Sequence, residues 1–563
     1  MHIMNAESVH SLGRGGKIVT QTLNHEGLAI SYPELRRYQC DLASFTAQHN
    51  RDRVGLPSHF DPGQFTSGAI DNWDHEGANV SEHDTVTVLF QDKPPSSIHK
   101  PKISDTEVKH GPQAFKEVLP CQVLSDFHKP ARRPDIPTTY DVQEDVYTSS
   151  TAGSAKLKDL AWSLARLDFS ADKVSIYPQS QMMPSWSASN STWTEEDIPE
   201  KNLAFLPVLP HPVTQYSTVY TAMKNFMEIN SQLVQNEIPM YCDEGVYCIV
   251  REIQLLRPDE FRALVPCLGT FHLIKTVLKC IGKSLAGSGA EVTWLEAGVF
   301  GPTVIENSVL NGGHYGRCLE GMQSLGEAFE RLLYQEFFAE QGIHPYTQEL
   351  AILKDIQSAV EKKDITKSQK CMDKFQEKSL KLVDNLDKFI KARSESNENF
   401  KFWATFLDMM TVVRDLLRAD REGLWELHLD AVQRALYLFT AYDSTNYLRW
   451  CSLYLEDMRR LPETAPSVYE NFAKGNFSIK EKPGRFTAVG GDQKLEQSIN
   501  LSTKCCDGVI GHAKQKQYVA QWDLIYHEMM AVKNLHRQYA NVMDRTHETY
   551  SHHESSQSTT DHK

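Results

Sequence analysis

A short apolar run that ends in a carboxylate, residues 238–243, constrains this chain more than any other feature. The run reads Ile-Pro-Met-Tyr-Cys-Asp, and a segment with apolar residues at helical spacing begins at Gly245 and continues to Leu256. A run of this length is typical of a buried strand, so we predict that it carries Asp243 to the carboxyl end of a strand. Carboxylates held in this way can bind divalent cations such as Mg²⁺. Other acids that follow strands are therefore candidates for the same site.

The segments around this run alternate between strand and helix patterns. We predict neighbouring strands at 64–70 and 84–91, a loop-rich insertion at 92–200 that contains a helix at 155–167, and a third strand at 203–209. Helix, strand, helix, strand and helix follow as far as Leu285, and such alternation implies parallel pairing in the second half of the sheet. This is the order of an RNase H-like core, which we place at 56–320. The stretch 183–193 is predicted to be loop.

The rest of the chain is predicted to be helical. Residues 321–470 are expected to form a helical bundle inserted into the core, and 471–545 are expected to return to the core with a helix at 491–504. The last segment, 546–563, is polar and is predicted to be a disordered tail. The predicted fold class is therefore α/β plus all-α: an RNase H-like mixed sheet with helices on both faces, interrupted by a large helical insertion.

Residues 1–55 are predicted to form two helices, at 17–25 and 33–48. Ser31 is the expected N-cap of the second helix. The length and polarity are those of a helix-turn-helix, in which Arg36, Arg37 and Tyr38 would face phosphate. A plain helical hairpin fits the same pattern.

Phosphoryl transfer assisted by two metal ions needs about three carboxylates that converge on the ions. In an RNase H-type sheet the first acid comes from the first strand and the second from the end of the fourth, and Asp71 and Asp243 fall at these positions. Asp74 is the alternative first acid, because a slip at the strand end exchanges the two. The third acid should come from a helix after the fifth strand, and we assign it to Glu496. The candidate metal ligands, for Mg²⁺ or Mn²⁺, are Asp71, Asp74, Asp243 and Glu496.

Four further side chains are candidate accessory groups. His272 follows the predicted fifth strand and has two interpretations, a contact to metal or phosphate and a purely structural histidine. Asp492 either belongs to the site or caps the helix that begins beside it. Arg317 and Lys504 are candidate phosphate contacts.

Composition limits the class of protein. The chain has 563 residues, 40% of them hydrophobic, which is enough for two or three domains. Its formal net charge of −14 argues against unaided nucleic-acid binding but leaves room for a local basic face. We predict neither a secretory signal nor a membrane span, and the scattered cysteines are expected to be reduced thiols. We expect an intracellular, nuclear protein.

The chain resembles a large family of transposon-derived proteins found in invertebrate and fish genomes and similar to Zisupton-type DDE transposases. The motifs that carry this resemblance span about residues 20 to 530, and they are Asp71-Asn72-Trp73-Asp74, Cys242-Asp243-Glu244-Gly245-Val246-Tyr247, Leu268-Gly269-Thr270-Phe271-His272, Gly287-Ser288-Gly289, Tyr447-Leu448-Arg449-Trp450, Glu456-Asp457-Met458, and Asp492-Gln493-Lys494-Leu495-Glu496-Gln497 with Asn500 and Lys504. The resemblance implies metal-dependent cleavage and transfer of DNA strands, with DNA as the partner.

The chain also departs from the family pattern. Cys505-Cys506-Asp507-Gly508 stands where the family usually has a glycine pair, and the first acidic motif continues less fully through 75–85. We also expect a truncated copy without an N-terminal DNA-binding or zinc module. Two functions therefore remain open: an active enzyme of the DDE type, and a catalytically silent, domesticated scaffold that binds DNA or protein. A third interpretation, a helical adaptor unrelated to transposons, does not explain the clustered motifs.

Overall fold

The computed structural model describes residues 16–50, 53–76, 81–94, 122–135, 150–170, 173–175, 183–194, 198–505 and 521–532, with three isolated positions before residue 16. The predicted tail at 546–563 and about half of the loop-rich insertion predicted at 92–200 lie outside these residues. The strands are β1 (Thr66–Glu76), β2 (Ser81–Asp92), β3 (Asp168–Ser170), β4 (Lys173–Ser175), β5 (Lys201–Phe205), β6 (Ile238–Cys242) and β7 (Leu264–Leu268).

Five of these strands form one mixed sheet in the order β5-β2-β1-β6-β7, and β3 and β4 form a separate hairpin. β2 pairs antiparallel with both β1 and β5, whereas β1, β6 and β7 run parallel to one another. Every residue of β6 and β7 is buried, so both faces of the sheet are covered there. The predicted parallel pairing in the second half of the sheet is confirmed.

The first seven helices precede residue 290. They are α1 (Gly16–His25), α2 (Tyr32–His49), α3 (Ser150–Ala165), α4 (Trp186–Trp193), α5 (Tyr216–Leu233), α6 (Glu244–Leu256) and α7 (Thr270–Leu285). The predicted helices in this part of the chain lie within a few residues of these bounds.

The following helices form the all-α part and lead back to the sheet. They are α8 (Ala290–Glu296), α9 (Pro302–Val304) with a π-helical turn at Ile305–Val309, α10 (Tyr315–Gln341) with a 3₁₀ turn at His344–Tyr346, α11 (Thr347–Glu361), α12 (Ile365–Lys378), α13 (Leu380–Ser396), α14 (Glu398–Glu422), α15 (Trp425–Ala441), α16 (Thr445–Arg459), α17 (Leu461–Thr464), α18 (Pro466–Ala473) and α19 (Gly491–Cys505). α14 packs on α7, and α19 packs on β1, β6 and α7. The all-α part thus lies in the chain between two elements that contact each other.

Three local predictions were wrong. The stretch 183–193 was predicted as loop, but it contains α4. Trp186 and Trp193 of this helix are buried by tertiary packing, which the periodicity of the local sequence does not reveal. The third strand of the sheet ends at Phe205 rather than Leu209. β1 continues past Asp71, because residues 71–76 pair with 81–86 of β2.

The N-terminal helices confirm one prediction and correct another. Ser31 caps α2, and its side chain and that of Glu34 form a reciprocal capping box. Arg36, however, is only 3% exposed and donates hydrogen bonds to Gln39 and Gln521. A buried guanidinium with these partners cannot face phosphate, so the predicted phosphate contact at Arg36 was wrong. Arg37 is exposed.

In the part of the chain that the structure describes, no helix is both long enough and apolar enough to cross a membrane.

Candidate metal centre

Asp71 and Asp243 lie at the same level of two adjacent parallel strands. The register pairs Gly68 with Met240 and Ala69 with Tyr241, so continuing it by two residues places Asp71 opposite Asp243. The two strands that carry these acids are therefore neighbours in the sheet. Because β1 and β6 run in the same direction, both acids are found where β6 ends and α6 begins.

Asp243 also has a structural role. Its carboxylate Oδ1 accepts a hydrogen bond of 2.8 Å from the main-chain nitrogen of Val246, so Asp243 is the N-cap of α6. The N-cap position satisfies one of the free N–H groups of the first turn and places a negative charge at the positive end of the helix dipole. One oxygen of Asp243 is therefore already engaged by the protein.

The next helix, α7, begins after β7 without a capping side chain of its own, because its N-cap residue is Gly269. Asp492 from the start of α19 supplies the missing acceptor. Its carboxylate accepts hydrogen bonds from the main-chain nitrogens of Phe271 at 3.2 Å and His272 at 3.1 Å, and it contacts the His272 Nδ1 at 3.1 Å. Asp492 therefore caps a helix 220 residues away in the chain.

The close approach of Asp492 requires glycine at position 269. A Cβ atom at that residue would lie 2.1 Å from Oδ2 of Asp492. Gly491 is constrained in the same way, since its Cβ would lie 2.5 Å from the ring of Tyr241 on β6. These two glycines allow α19 to approach both the N-terminus of α7 and the sheet.

Glu496 follows Asp492 by one helical turn, so both acids project from the same side of α19. Asp71, His272 and Glu496 each offer one potential ligand atom, and these atoms all lie within 4.8 Å of one another. We refer to these three residues as the central group. The structure thus brings together two of the three predicted acids with the accessory histidine. Asp243 stands beside the central group but is not a member of it.

The pKa values of the central group reflect burial and the proximity of other charges. Burial, together with the charges of Asp243 and Glu496, raises the pKa of Asp71 to about 8, while the charge of His272 opposes the shift. Burial also raises the pKa of Glu496, again against the effect of His272. For His272, burial lowers the pKa, but the hydrogen bond to Asp492 and the charges of Asp492, Asp71 and Asp243 outweigh it and bring the pKa to about 9. Near neutral pH the central group therefore contains an imidazolium.

Basic and aromatic groups border the acids, and none of them was predicted to be a site residue, although Phe271 and Arg449 lie in motifs that carry the family resemblance. Glu244, next to Asp243, feels the positive charges of Arg133 and Arg449, although burial raises its pKa overall. Arg133 is held by an ion pair of 3.0 Å with the buried Glu252. Lys275 lies one turn after Phe271 on α7, 5.7 Å from the centre of that ring, and its charge lowers the pKa of Glu496. Clustering of such residues depends on packing between elements, so nothing in the local sequence signals it.

The structure gives less information on the remaining predicted site residues, Asp74, Lys504 and Arg317. Asp74 lies in β1 and Lys504 in α19, but the side chains of both fall outside the description. Arg317 is exposed on α10, and no hydrogen bond or ion pair joins it to another described residue.

The donor set fits a divalent cation in part. Two carboxylates within reach of each other, with a third alongside, are the oxygen ligands that Mg²⁺ and Mn²⁺ prefer. The imidazole of His272 is a softer ligand, which suits Mn²⁺ or Zn²⁺ better than Mg²⁺. Its Nδ1 is engaged with Asp492, in the carboxylate–histidine arrangement that commonly orients a metal-binding imidazole. Asp71, Glu496 and Asp243 are thus the residues that would hold the ion, and His272 would join them only after its ring loses a proton.

Comparison with known proteins identifies the family but not an activity. Residues 185–563 match the model of a family described as a domain of unknown function, DUF8702. No curated protein and no solved structure matches the chain. The family match covers more than half of the chain and includes β6, α7 and α19, with Asp243, His272 and Glu496. The chain therefore belongs to the DUF8702 family.

Proposed function

We propose that the protein has an RNase H-like core and catalyses metal-dependent cleavage or transfer of DNA strands, as a transposase-derived enzyme. One observation carries the proposal: Asp71 and Glu496, which are far apart in the chain, meet within 4.8 Å beside Asp243. The sheet supports it, because its antiparallel first half and parallel second half follow the predicted order. The resemblance of the sequence motifs to DDE transposases supplies the substrate class.

The proposed roles follow from the positions of the side chains. Asp71 and Glu496, with the second oxygen of Asp243, would hold one or two Mg²⁺ or Mn²⁺ ions. Such ions would activate an attacking water or hydroxyl and stabilise the leaving oxygen. Asp492 holds His272 against the acids through two hydrogen bonds. Arg133 and Arg449 lie on the Glu244 side, where their charges favour an anionic backbone despite the net charge of −14.

A catalytically silent scaffold that binds DNA or protein is the second candidate function, and His272 favours it. An imidazolium inside the central group compensates part of the negative charge without a metal ion. A relic that had lost catalysis would keep such a group as a structural ion cluster.

A cleavage assay separates the two candidates. Purified protein is incubated with single-stranded and double-stranded DNA in Mn²⁺, in Mg²⁺ and in a chelator. The enzyme proposal predicts cleavage that requires the metal and is abolished in Glu496→Gln, whereas Glu463→Gln, which alters an exposed acid on α17, retains it. Absence of metal-dependent cleavage in the wild-type protein would favour the scaffold.

A further inference from the structure

The all-α part, which is the inserted helical part of the chain, also places a buried acid beside the candidate metal centre. Asp420 lies near the end of α14, and the residue is 3% exposed. Its carboxyl group lies beside Thr270, in the first turn of α7, and Gly490: a Cβ atom on Gly490 would lie 3.3 Å from the Cβ of Thr270 and 3.2 Å from Oδ2 of Asp420. Asp420 therefore touches both segments that position His272.

Asp420 and Asp492 approach the same small space beside Gly490. A Cβ atom on Gly490 would lie 3.0 Å from Oδ1 of Asp492 and 3.2 Å from Oδ2 of Asp420. A side chain at this position would therefore require one or both carboxyl groups to shift by a few tenths of an ångström. The two acids, one from the all-α part and one from α19, thus meet at the N-terminus of α7.

The two oxygens of Asp420 have unequal environments. Oδ1 is buried and has no hydrogen-bond partner among the described residues, whereas Oδ2 faces Gly490. An unpaired buried carboxylate oxygen is costly, and a protonated carboxyl group beside an ionised one lowers that cost. In agreement, burial and the charge of Asp492 raise the pKa of Asp420 well above its ordinary value.

We propose that Asp420 is a positioning residue of the metal centre: it fixes Asp492 and the start of α7, and so sets His272 against Asp71 and Glu496. The inference rests on the proposed function for its metal, but the placement of His272 does not depend on the metal. It assigns the inserted helical part a role in positioning the residues of the metal centre.

The test compares three variants. Asp420→Ala removes the carboxyl group. Asp420→Asn keeps an oxygen beside Thr270 and Gly490 and replaces the carboxyl group with an uncharged amide of nearly the same shape. Asp415→Ala is the matched control, because Asp415 is another buried acid of α14 but pairs with Arg434, which keeps a second partner in Asp430 at 3.0 Å. Circular dichroism and melting curves identify any variant that fails to fold.

Two readouts are needed. The first is Mn²⁺ affinity by calorimetry. The second is the nuclear magnetic resonance signal of the His272 ring in metal-free protein, assigned by its loss in His272→Gln. We expect Asp420→Ala to weaken Mn²⁺ binding by about 10-fold or more, the usual effect of losing an outer-shell partner. The His272 signal should shift in the same variant, and both Asp420→Asn and Asp415→Ala should resemble the wild type.

The outcomes separate this inference from the proposed function. An unchanged His272 signal in folded Asp420→Ala would overturn the inference, whatever the metal does. Loss of affinity in Asp415→Ala equal to that in Asp420→Ala would also overturn it, because the effect would then be general to α14. If wild-type protein binds no Mn²⁺, the proposed function fails, and the His272 signal alone decides the inference.

Discussion

Asp492 holds His272 at two points, its main-chain nitrogen and its ring Nδ1, each at 3.1 Å. The two residues are 220 positions apart and lie on either side of the inserted helical part. One turn further along α19, Glu496 reaches the same histidine. The helix α19 therefore supplies both a candidate metal ligand, Glu496, and the residue that orients His272.

The ion pair between His272 and Asp492 should stabilise the fold in a pH-dependent way. The pKa of His272 is about 9 in the folded protein against an ordinary 6.5, so the stabilisation is complete below pH 6.5 and is lost as the pH rises through 9. A double-mutant cycle of His272→Gln and Asp492→Asn, measured by urea unfolding, should give a coupling energy of about 1.5 to 3 kcal/mol below pH 6.5. A coupling energy that is independent of pH would contradict the assignment.

Asp71 should destabilise the metal-free protein at alkaline pH. Its pKa of about 8 in the folded state exceeds the ordinary 3.8, so the folded state loses stability as the pH rises from 3.8 to 8. Asp71→Asn removes this charge and should raise the free energy of unfolding by about 1 to 3 kcal/mol above pH 8. Below pH 3.8 the two proteins should be equally stable. A destabilised variant at alkaline pH would show that the carboxylate is well compensated in the absence of metal.

Gly269→Ala should be far more harmful than an ordinary glycine replacement. The new Cβ would meet Oδ2 of Asp492 at 2.1 Å, so Asp492 must move and α7 loses its cap. We expect a loss of about 1 to 3 kcal/mol in the free energy of unfolding. Gly153→Ala in α3 is the control, because nothing lies within 4 Å of its Cβ, and it should leave stability unchanged or raise it by about 0.5 to 1 kcal/mol. Similar losses in both variants would contradict this account of the α7 cap.

Arg36 and Arg37 should differ although they are adjacent. Arg36→Ala removes buried hydrogen bonds to Gln39 and Gln521 and should cost about 1 to 3 kcal/mol. Arg37→Ala, at an exposed position, should change the free energy of unfolding by less than about 0.5 kcal/mol. Chemical unfolding of the two variants tests the pair. Equal effects would indicate that Arg36 does not join α2 to the 521–532 segment.

Much of the sheet could be predicted from the sequence because its signals are local. The apolar run before Asp243 and the following amphipathic segment gave the bounds of β6 and α6 within one residue. Strand direction placed Asp71 beside Asp243. By contrast, the pairing of His272 with Asp492 and the approach of Asp420 depend on how α7, α14 and α19 pack. Periodicity within a segment carries no information about such distant contacts, and the same limit led to the wrong predictions for Arg36 and α4.

A metal titration tests the central claim most directly. Mn²⁺ at 100 times its Kd should stabilise the wild-type protein by about 2.7 kcal/mol and raise its melting temperature accordingly. Glu496→Gln should abolish this response, and the exposed Glu463→Gln should preserve it. Asp243→Asn should also reduce it, although that variant alters the α6 cap as well. Two results would contradict a metal centre at these residues. One is a wild-type melting temperature that does not change with Mn²⁺ or Mg²⁺, and the other is a Glu496→Gln variant that responds as strongly as the wild type.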